Sequence, residues 1–402
     1  MVEKKRKRGG KVMMKRKVKQ TFLAGTVASL MVSGGVLVVK DISPTKVTYA
    51  AEESKTPATA KVKQALPKVQ VIGTGGTISG QSTDATSFIN YRSGSLAIGD
   101  MVKDLPNVDK MAEVTTTQFG NKGSSAYSMQ DLYNLSLLVD EQLKTNDGVV
   151  ITTGTDTMED IAYFLDLTVQ SSKPVVVTGS MRPWTVIGSD AQANLFNAIK
   201  LAASGETSHF GTVIMLNDTI NPARDVTKTN SYRVDTFESR TGALGYIDQD
   251  NIQIYEAPAR AIKYKNENEW RTPFDLKKIK KEGLAKVEIA YSYQDAGGEA
   301  IKAFADAGVK GIVTAGTGAG GISPAQGTER KNAIEKGVIF MSTTRTGSGS
   351  VYSGGTGIIP GDNLNPQHAR MLLMLALSFG KDFNEVKELA TKYGVRQANI
   401  NE

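Results

Sequence analysis

Cysteine is absent from the 402 residues, and histidine occurs only twice, at His209 and His368. Without cysteine there is no disulfide, thiolate nucleophile, iron–sulfur cluster or thiolate zinc site. Two isolated histidines leave little for a histidine-based metal centre or a Ser-His-Asp machine. His209 lies in a helix-to-strand connector and His368 on a helix face with Arg370, so both read as structural or solvated groups. No Walker A sequence occurs. Neither a metal nor an organic cofactor is expected.

Acidic residues are scarce at one end only. The chain carries a formal charge of +7, yet residues 1–50 alone carry +10, which leaves −3 on the remaining 352. The basic excess therefore does not describe the body of the protein, and a nucleic-acid partner is not expected of it. The ten Lys/Arg of residues 1–19 precede eighteen uncharged residues, Phe22–Val39, and a small-residue exit around Thr48–Ala51. A basic run, an apolar run and small residues describe a secretory signal peptide over 1–50, followed by a flexible lead-in over 51–66. The alternatives are an uncleaved membrane anchor, the apolar run being at the short edge of a span, and a nucleic-acid arm. The first reading makes the mature protein extracellular.

What is plentiful is short β-branched runs alternating with amphipathic segments. Val69–Ile72, Gly148–Ile151, Pro174–Thr178 and Gly211–Leu216 read as buried strands. Helices are expected from Ser128, as cap, to about Leu143, then over 158–169 and 192–203. The pattern resumes with strands at 287–293, 311–314 and 338–342, and helices at 299–307, from Pro366 with Asn365 as cap, and over 384–393. The class is α/β, with two doubly wound domains: a larger N-terminal one over 67–257, a polar linker over 258–283 and a smaller C-terminal one over 284–402.

Two of the strands end in threonine-rich glycine turns, Gly73-Thr-Gly-Gly-Thr77 and Thr153-Gly-Thr-Asp-Thr157. In open α/β sheets ligands bind at the carboxyl ends of strands. Glycines there let backbone approach a substrate closely and offer N–H groups to an oxyanion. A threonine hydroxyl on such a turn can be a nucleophile beside a base. Asp156 can hold an ammonium group, and Lys228, in Arg224-Asp-Val-Thr-Lys-Thr-Asn230, can serve as a base where its surroundings favour the neutral amine. Helix capping is the competing explanation for each turn alone. Gly316-Thr-Gly-Ala-Gly-Gly321 fits a dinucleotide fingerprint, but the next strand ends without an acid, so a tight turn is the better reading.

Several motifs in order resemble the bacterial asparaginase/glutaminase family, in particular its secreted, type II members. They are Thr74-Gly-Gly-Thr-Ile78, Gly154-Thr-Asp-Thr-Met-Glu159, Gly179-Ser-Met-Arg-Pro183, Asn217-Asp-Thr219, Arg224–Asn230 and Leu364-Asn-Pro-Gln-His-Ala-Arg370. The resemblance spans about Pro67–Gly394 and implies an amidohydrolase that converts L-asparagine to L-aspartate and ammonia, with a broader glutaminase-asparaginase as the alternative. It implies Thr77 as nucleophile forming an acyl-enzyme, and Tyr91, on a segment that closes over substrate, as its hydrogen-bond partner. Thr155 would position water and lend its N–H, Lys228 would act as base, and Asp156 would hold the α-amino group. Ser124, or Ser125 in this lengthened Gly-Ser-Ser-Ala-Tyr-Ser motif, would bind the α-carboxylate, and the Ser180 carbonyl would face the leaving amide. A homotetramer is implied, with Tyr291–Asp295 reaching a neighbour's site. One departure stands out: the loop Arg345–Pro360 holds no acid, where many members have one that contacts the substrate amine. A non-enzymatic amino-acid binder is the remaining alternative, and Lys228 beside the threonine turns argues against it.

Overall fold

The structure, a computed structural model, describes residues 65–264 and 266–394; the leader and nearly all of the lead-in lie outside the described residues. Strand β1 (Lys68–Gly75) leads through helix α1 (Ile98–Lys103) to β2 (Glu113–Lys122). Then come α2 (Met129–Gln142), β3 (Gly148–Thr152), α3 (Met158–Thr168), β4 (Val175–Thr178), α4 (Ala191–Ser204) and β5 (Thr212–Leu216). These five strands are parallel, in the order β2-β1-β3-β4-β5.

Both faces are covered at β1, β3, β4 and β5, which is why these strands read as continuous apolar runs, whereas the edge strand β2 is polar, largely exposed and unannounced by the sequence pattern. Alternate residues go to opposite sides. Ile72, Ile151, Val177 and Ile214 pack in one cluster with α2 and α3, while Val71, Val150, Val176 and Val213 pack in another with α4. The helix caps follow the expectation. Ser128 forms a reciprocal capping box with Asp131.

Beyond β5 the chain reverses into strands the sequence pattern did not announce. β6 (Thr219–Pro222) pairs antiparallel with β5, β7 (Val226–Lys228) and β8 (Phe237–Ser239) form a hairpin, and β9 (Gly245–Asp248) and β10 (Asn251–Ile254) extend the sheet to eight strands. They are three or four residues long and carry polar residues, so no apolar run marks them.

The polar stretch 258–283 contains α5 (Ala259–Lys263) and α6 (Glu267–Trp270) and is held down at three points. Trp270, Phe274 and Leu276 are buried among its charges, and Phe274 packs edge-on against Phe379 and Tyr393. The second sheet follows: β11 (Val287–Tyr291), α7 (Glu299–Asp306), β12 (Gly311–Gly316), α8 (Pro324–Glu335), β13 (Ile339–Thr344), β14 (Ile358–Pro360), α9 (Pro366–Phe379) and α10 (Phe383–Gly394). Its four strands are parallel. Asn365 caps α9 through a 2.7 Å bond from the His368 N–H, with Pro366 in the first turn. Helix α9 packs on α3, so one apolar cluster runs from the larger lobe into the smaller. Among the described residues no helix is long and apolar enough to cross a membrane.

Phe274 is fully buried and has aromatic partners on two sides. Phe274→Ala is therefore expected to lower the unfolding free energy by about 3–5 kcal/mol, measured by urea titration.

Candidate active site

β1 and β3 are adjacent parallel strands, so both threonine turns emerge at the same carboxyl edge. They meet backbone to backbone. A methyl group built on Gly76 would lie 2.2 Å from the amide nitrogen of Gly154, and Gly76 has φ 83°. Only glycine meets both demands. Gly154 is confined in turn by Ser124, whose amide nitrogen lies 2.9 Å from the place its Cβ would take. Thr74 Oγ1 donates to the Thr152 carbonyl at 2.9 Å and ties the turns together, and the Tyr127 hydroxyl donates to the Thr74 carbonyl.

Thr77 and Thr155 follow these glycines, each opening a short 3₁₀ turn. The Thr77 hydroxyl lies 2.7 Å from the Tyr91 hydroxyl. The 80–97 segment that carries Tyr91 is pinned by two backbone bonds between Gln81 and Arg92, of 3.1 and 3.0 Å. Gly80 is a requirement of this arrangement, since a Cβ there would lie 2.6 Å from the Tyr91 ring.

The second group assembles around Lys228 on β7. Its ammonium donates to Thr155 Oγ1 at 2.9 Å and to Asp156 Oδ1 at 2.7 Å. The lysine side chain is 15% exposed and the aspartate 77%, so the pair points from the protein toward open space. Arg224 braces the approach to β7 by binding Asp225 at 2.5 Å and Asn363 at 2.7 Å, and it also donates to the Gly394 carbonyl.

Ser124 is buried and its hydroxyl oxygen accepts the Thr157 N–H at 3.1 Å, while its neighbour Ser125 is exposed. Ser180 is buried and its hydroxyl donates to the Arg182 carbonyl at 2.6 Å. Tyr291 and Tyr293 are exposed at the end of β11. Among the described residues, nothing in 291–295 bonds to the Thr77 or Lys228 groups of the same chain. The loop 345–360 is largely exposed, Tyr352 most of all. His209 is half-exposed and 3.4 Å from Glu267, whereas His368 is fully buried.

Behind the second turn lie ionisable groups that the sequence reading left aside. Burial pushes the Glu159 carboxyl up to about 7 and that of Asp160 up to about 6. Burial also drives His368 down to about 3. The clue in the sequence was Glu159 itself, inside a motif read only for Thr155 and Asp156. Among the described residues no group of three or more His, Cys, Asp or Glu is placed to hold a metal ion.

The fold and these turns define a two-lobed α/β amidohydrolase. More particularly, the chain belongs to the asparaginase family: the family model for the asparaginase N-terminal domain matches residues 68–260, and that for the glutaminase/asparaginase C-terminal domain matches 286–389. It is 37% identical over 381 residues to L-asparaginase 2 of Bacillus subtilis, covering 93% of this chain and all of that protein. It is 38% identical to L-asparaginase 2 of Escherichia coli, over 82% of this chain and 94% of that one. Among solved structures, a probable cytoplasmic L-asparaginase from Campylobacter jejuni superposes with a TM-score of 0.76 at 39% identity, over 81% of this chain and all of that one.

Gly76→Ala should abolish turnover and lower the melting temperature, because Cβ would strike the facing turn. Gly242, with φ 100° but nothing within 4 Å of a Cβ, is the control. Its alanine variant is expected to cost only the backbone strain, about 1–3 kcal/mol, with turnover retained. Differential scanning calorimetry and ammonia release read both.

Proposed function

We propose that the protein is a secreted L-asparaginase that hydrolyses L-asparagine to L-aspartate and ammonia through Thr77. The observation that carries this reading is the pair of polar groups on touching turns: Thr77 with Tyr91 at 2.7 Å, and Thr155 with Lys228 at 2.9 Å. The Thr77 oxygen attacks the side-chain amide carbon while the Tyr91 hydroxyl takes the Thr77 proton and hands its own to the amide nitrogen. Backbone N–H groups of the second turn receive the developing oxyanion. The C–N bond breaks, ammonia leaves with the proton, and a β-aspartyl ester remains on Thr77. Water held by Thr155 then attacks that ester and gives its proton to Lys228 in the neutral-amine form, and a proton returns to the Thr77 oxygen as the ester C–O bond breaks and aspartate leaves.

Asp156, exposed at the rim, takes the substrate's α-amino group. For the α-carboxylate, Ser125 is the better placed of the two candidates, because Ser124 already accepts the Thr157 N–H and is buried. Ser125→Ala is expected to raise KM about tenfold with kcat little changed. The same effect from Ser124→Ala alone would return the role to Ser124. The Ser180 carbonyl faces the leaving amide.

Thr77→Ala should reduce ammonia release by several orders of magnitude, since no other group forms the ester, and Lys228→Met should nearly abolish it. Tyr91→Phe is expected to lower kcat about 10²–10⁴-fold. Wild-type rates in Thr77→Ala would exclude the nucleophile assignment.

A broader glutaminase-asparaginase is the second reading, favoured by the acid-free loop 345–360. The ratio of kcat/KM for glutamine and asparagine decides between them, because one methylene changes binding by only about 1–3 kcal/mol. Export is supported by the basic-apolar-small order of residues 1–50. N-terminal sequencing of protein from culture medium tests it. Exposed Tyr291, Tyr293 and Tyr352 support a homotetramer in which 291–295 completes a neighbour's site, and light scattering tests the mass.

A further inference from the structure

Glu159 and His368 face each other across the contact between α3 and α9, with Nε2 of the histidine 3.8 Å from Oε2 of the glutamate. Both atoms are fully buried and neither has a hydrogen-bond partner. The remaining bonds of the pair leave little freedom. His368 Nδ1 lies 2.8 Å from the Arg224 carbonyl, which can only accept, so Nδ1 carries a hydrogen. A neutral His368 therefore turns a bare lone pair toward Glu159. An ionised Glu159 would place a buried charge against that lone pair, with a hydrogen-bond donor at its other oxygen only. A single proton on the carboxyl would give both atoms a partner once the 3.8 Å separation closes by about half an ångström.

We infer that Glu159 is a protonated carboxylic acid donating to Nε2 of a neutral His368, and that this shared proton holds Lys228 in register with Thr155. The second half rests on the reading of Lys228 as the catalytic base. The connection is short. Glu159 stands four residues after Thr155, its Oε1 accepts from Gln367 at 3.2 Å, and the Thr227 hydroxyl, one residue before Lys228, lies near enough to its carboxyl to favour the charged form. Glu159 thus joins the second turn, β7 and α9 at one point, as a positioning residue that does not touch substrate.

The charged groups around the pair act in both directions. Asp160 on the same helix disfavours ionisation of Glu159, and Arg240, after β8, favours it. Burial, Arg224 and Arg240 oppose a charge on His368, the backbone carbonyls of Arg224 and Glu159 favour one, and the buried Tyr163 ring lies 4.9 Å from the imidazole. Because the folded state holds the Glu159 proton more tightly than the unfolded chain, this contribution to stability is complete at low pH. It is lost as pH rises through the folded value of about 7.

With only two histidines in the chain, ¹⁵N-histidine labelling of the whole protein reads His368 directly, and a His209→Gln variant assigns the signals. The expected result is an Nδ1–H tautomer with an unprotonated, hydrogen-bonded Nε2 across pH 5–7. An imidazolium at that site, with both nitrogens protonated, overturns the inference. Glu159→Gln keeps a donor for Nε2 and cannot ionise, so its melting temperature relative to wild type should rise between pH 5 and pH 8. A difference that stays constant with pH overturns the shared proton. For positioning, Glu159→Leu should lose at least tenfold more kcat than Glu159→Gln, at similar KM. Equal losses in the two overturn that role, and should the leucine variant not fold, the tautomer and stability readings still decide the proton. None of these readings needs Lys228 to be a base. Full turnover in Lys228→Met would remove that reading while leaving the Glu159–His368 proton to its own test.

Discussion

The site depends on one packing constraint, the contact between two polypeptide turns at a point where no side chain fits. β1 and β3 run parallel in register, Ile72 beside Ile151 and Gly73 beside Thr152, so both chains leave the sheet at the same level. Each then spends a glycine on closeness, at 76 and at 154. The turns that carry Thr77 and Thr155 are thereby brought together by backbone alone. Backbone placement of this kind suits catalysis, because it loses little to rotamer motion. It also leaves N–H groups free to meet developing negative charge.

The two hydroxyls are then given different partners. Thr77 faces a phenol, carried by a segment that folds back over the first turn through the Gln81–Arg92 pairing. Thr155 faces an ammonium, carried by a hairpin that extends outside the parallel sheet. The same kind of residue on the same kind of turn therefore meets two kinds of chemistry, a phenol at one and a lysine at the other. The smaller lobe supplies support from behind. Through α9 it closes the cluster around α3 and places Gln367 and His368 against the helix that starts at the second turn.

Much of this was legible in the residues. The β-branched runs announced β1, β3, β4 and β5, because a strand buried on both faces has no polar alternation to obscure it, whereas the polar and largely exposed edge strand β2 gave no such signal. Ser128 and Asn365 announced their helices through capping chemistry that is local in sequence. The threonine turns announced a site, since glycines after a strand have a backbone purpose. The antiparallel strands β6 to β10 were not visible, being short and half polar, and their pairing is decided by neighbours far along the chain. Phe274 was hidden by the charges on either side of it, and only its contacts with Phe379 and Tyr393 reveal it as an anchor. Glu159 was passed over for a similar reason: a glutamate in the first turn of a helix is ordinary until it is found buried.

By itself, then, the sequence determined the inventory: no thiol, almost no imidazole, two threonine turns and a lysine, with the net positive charge carried by the first fifty residues. It determined the α/β class as well, because hydrophobic period and capping act over a few residues. The tertiary structure alone decided which of those groups meet. Lys228 reaches Thr155 and Asp156 across more than seventy residues, and His368 reaches Glu159 across more than two hundred. Distances of that kind are set by sheet register and by the packing of helix on helix, which no local pattern encodes.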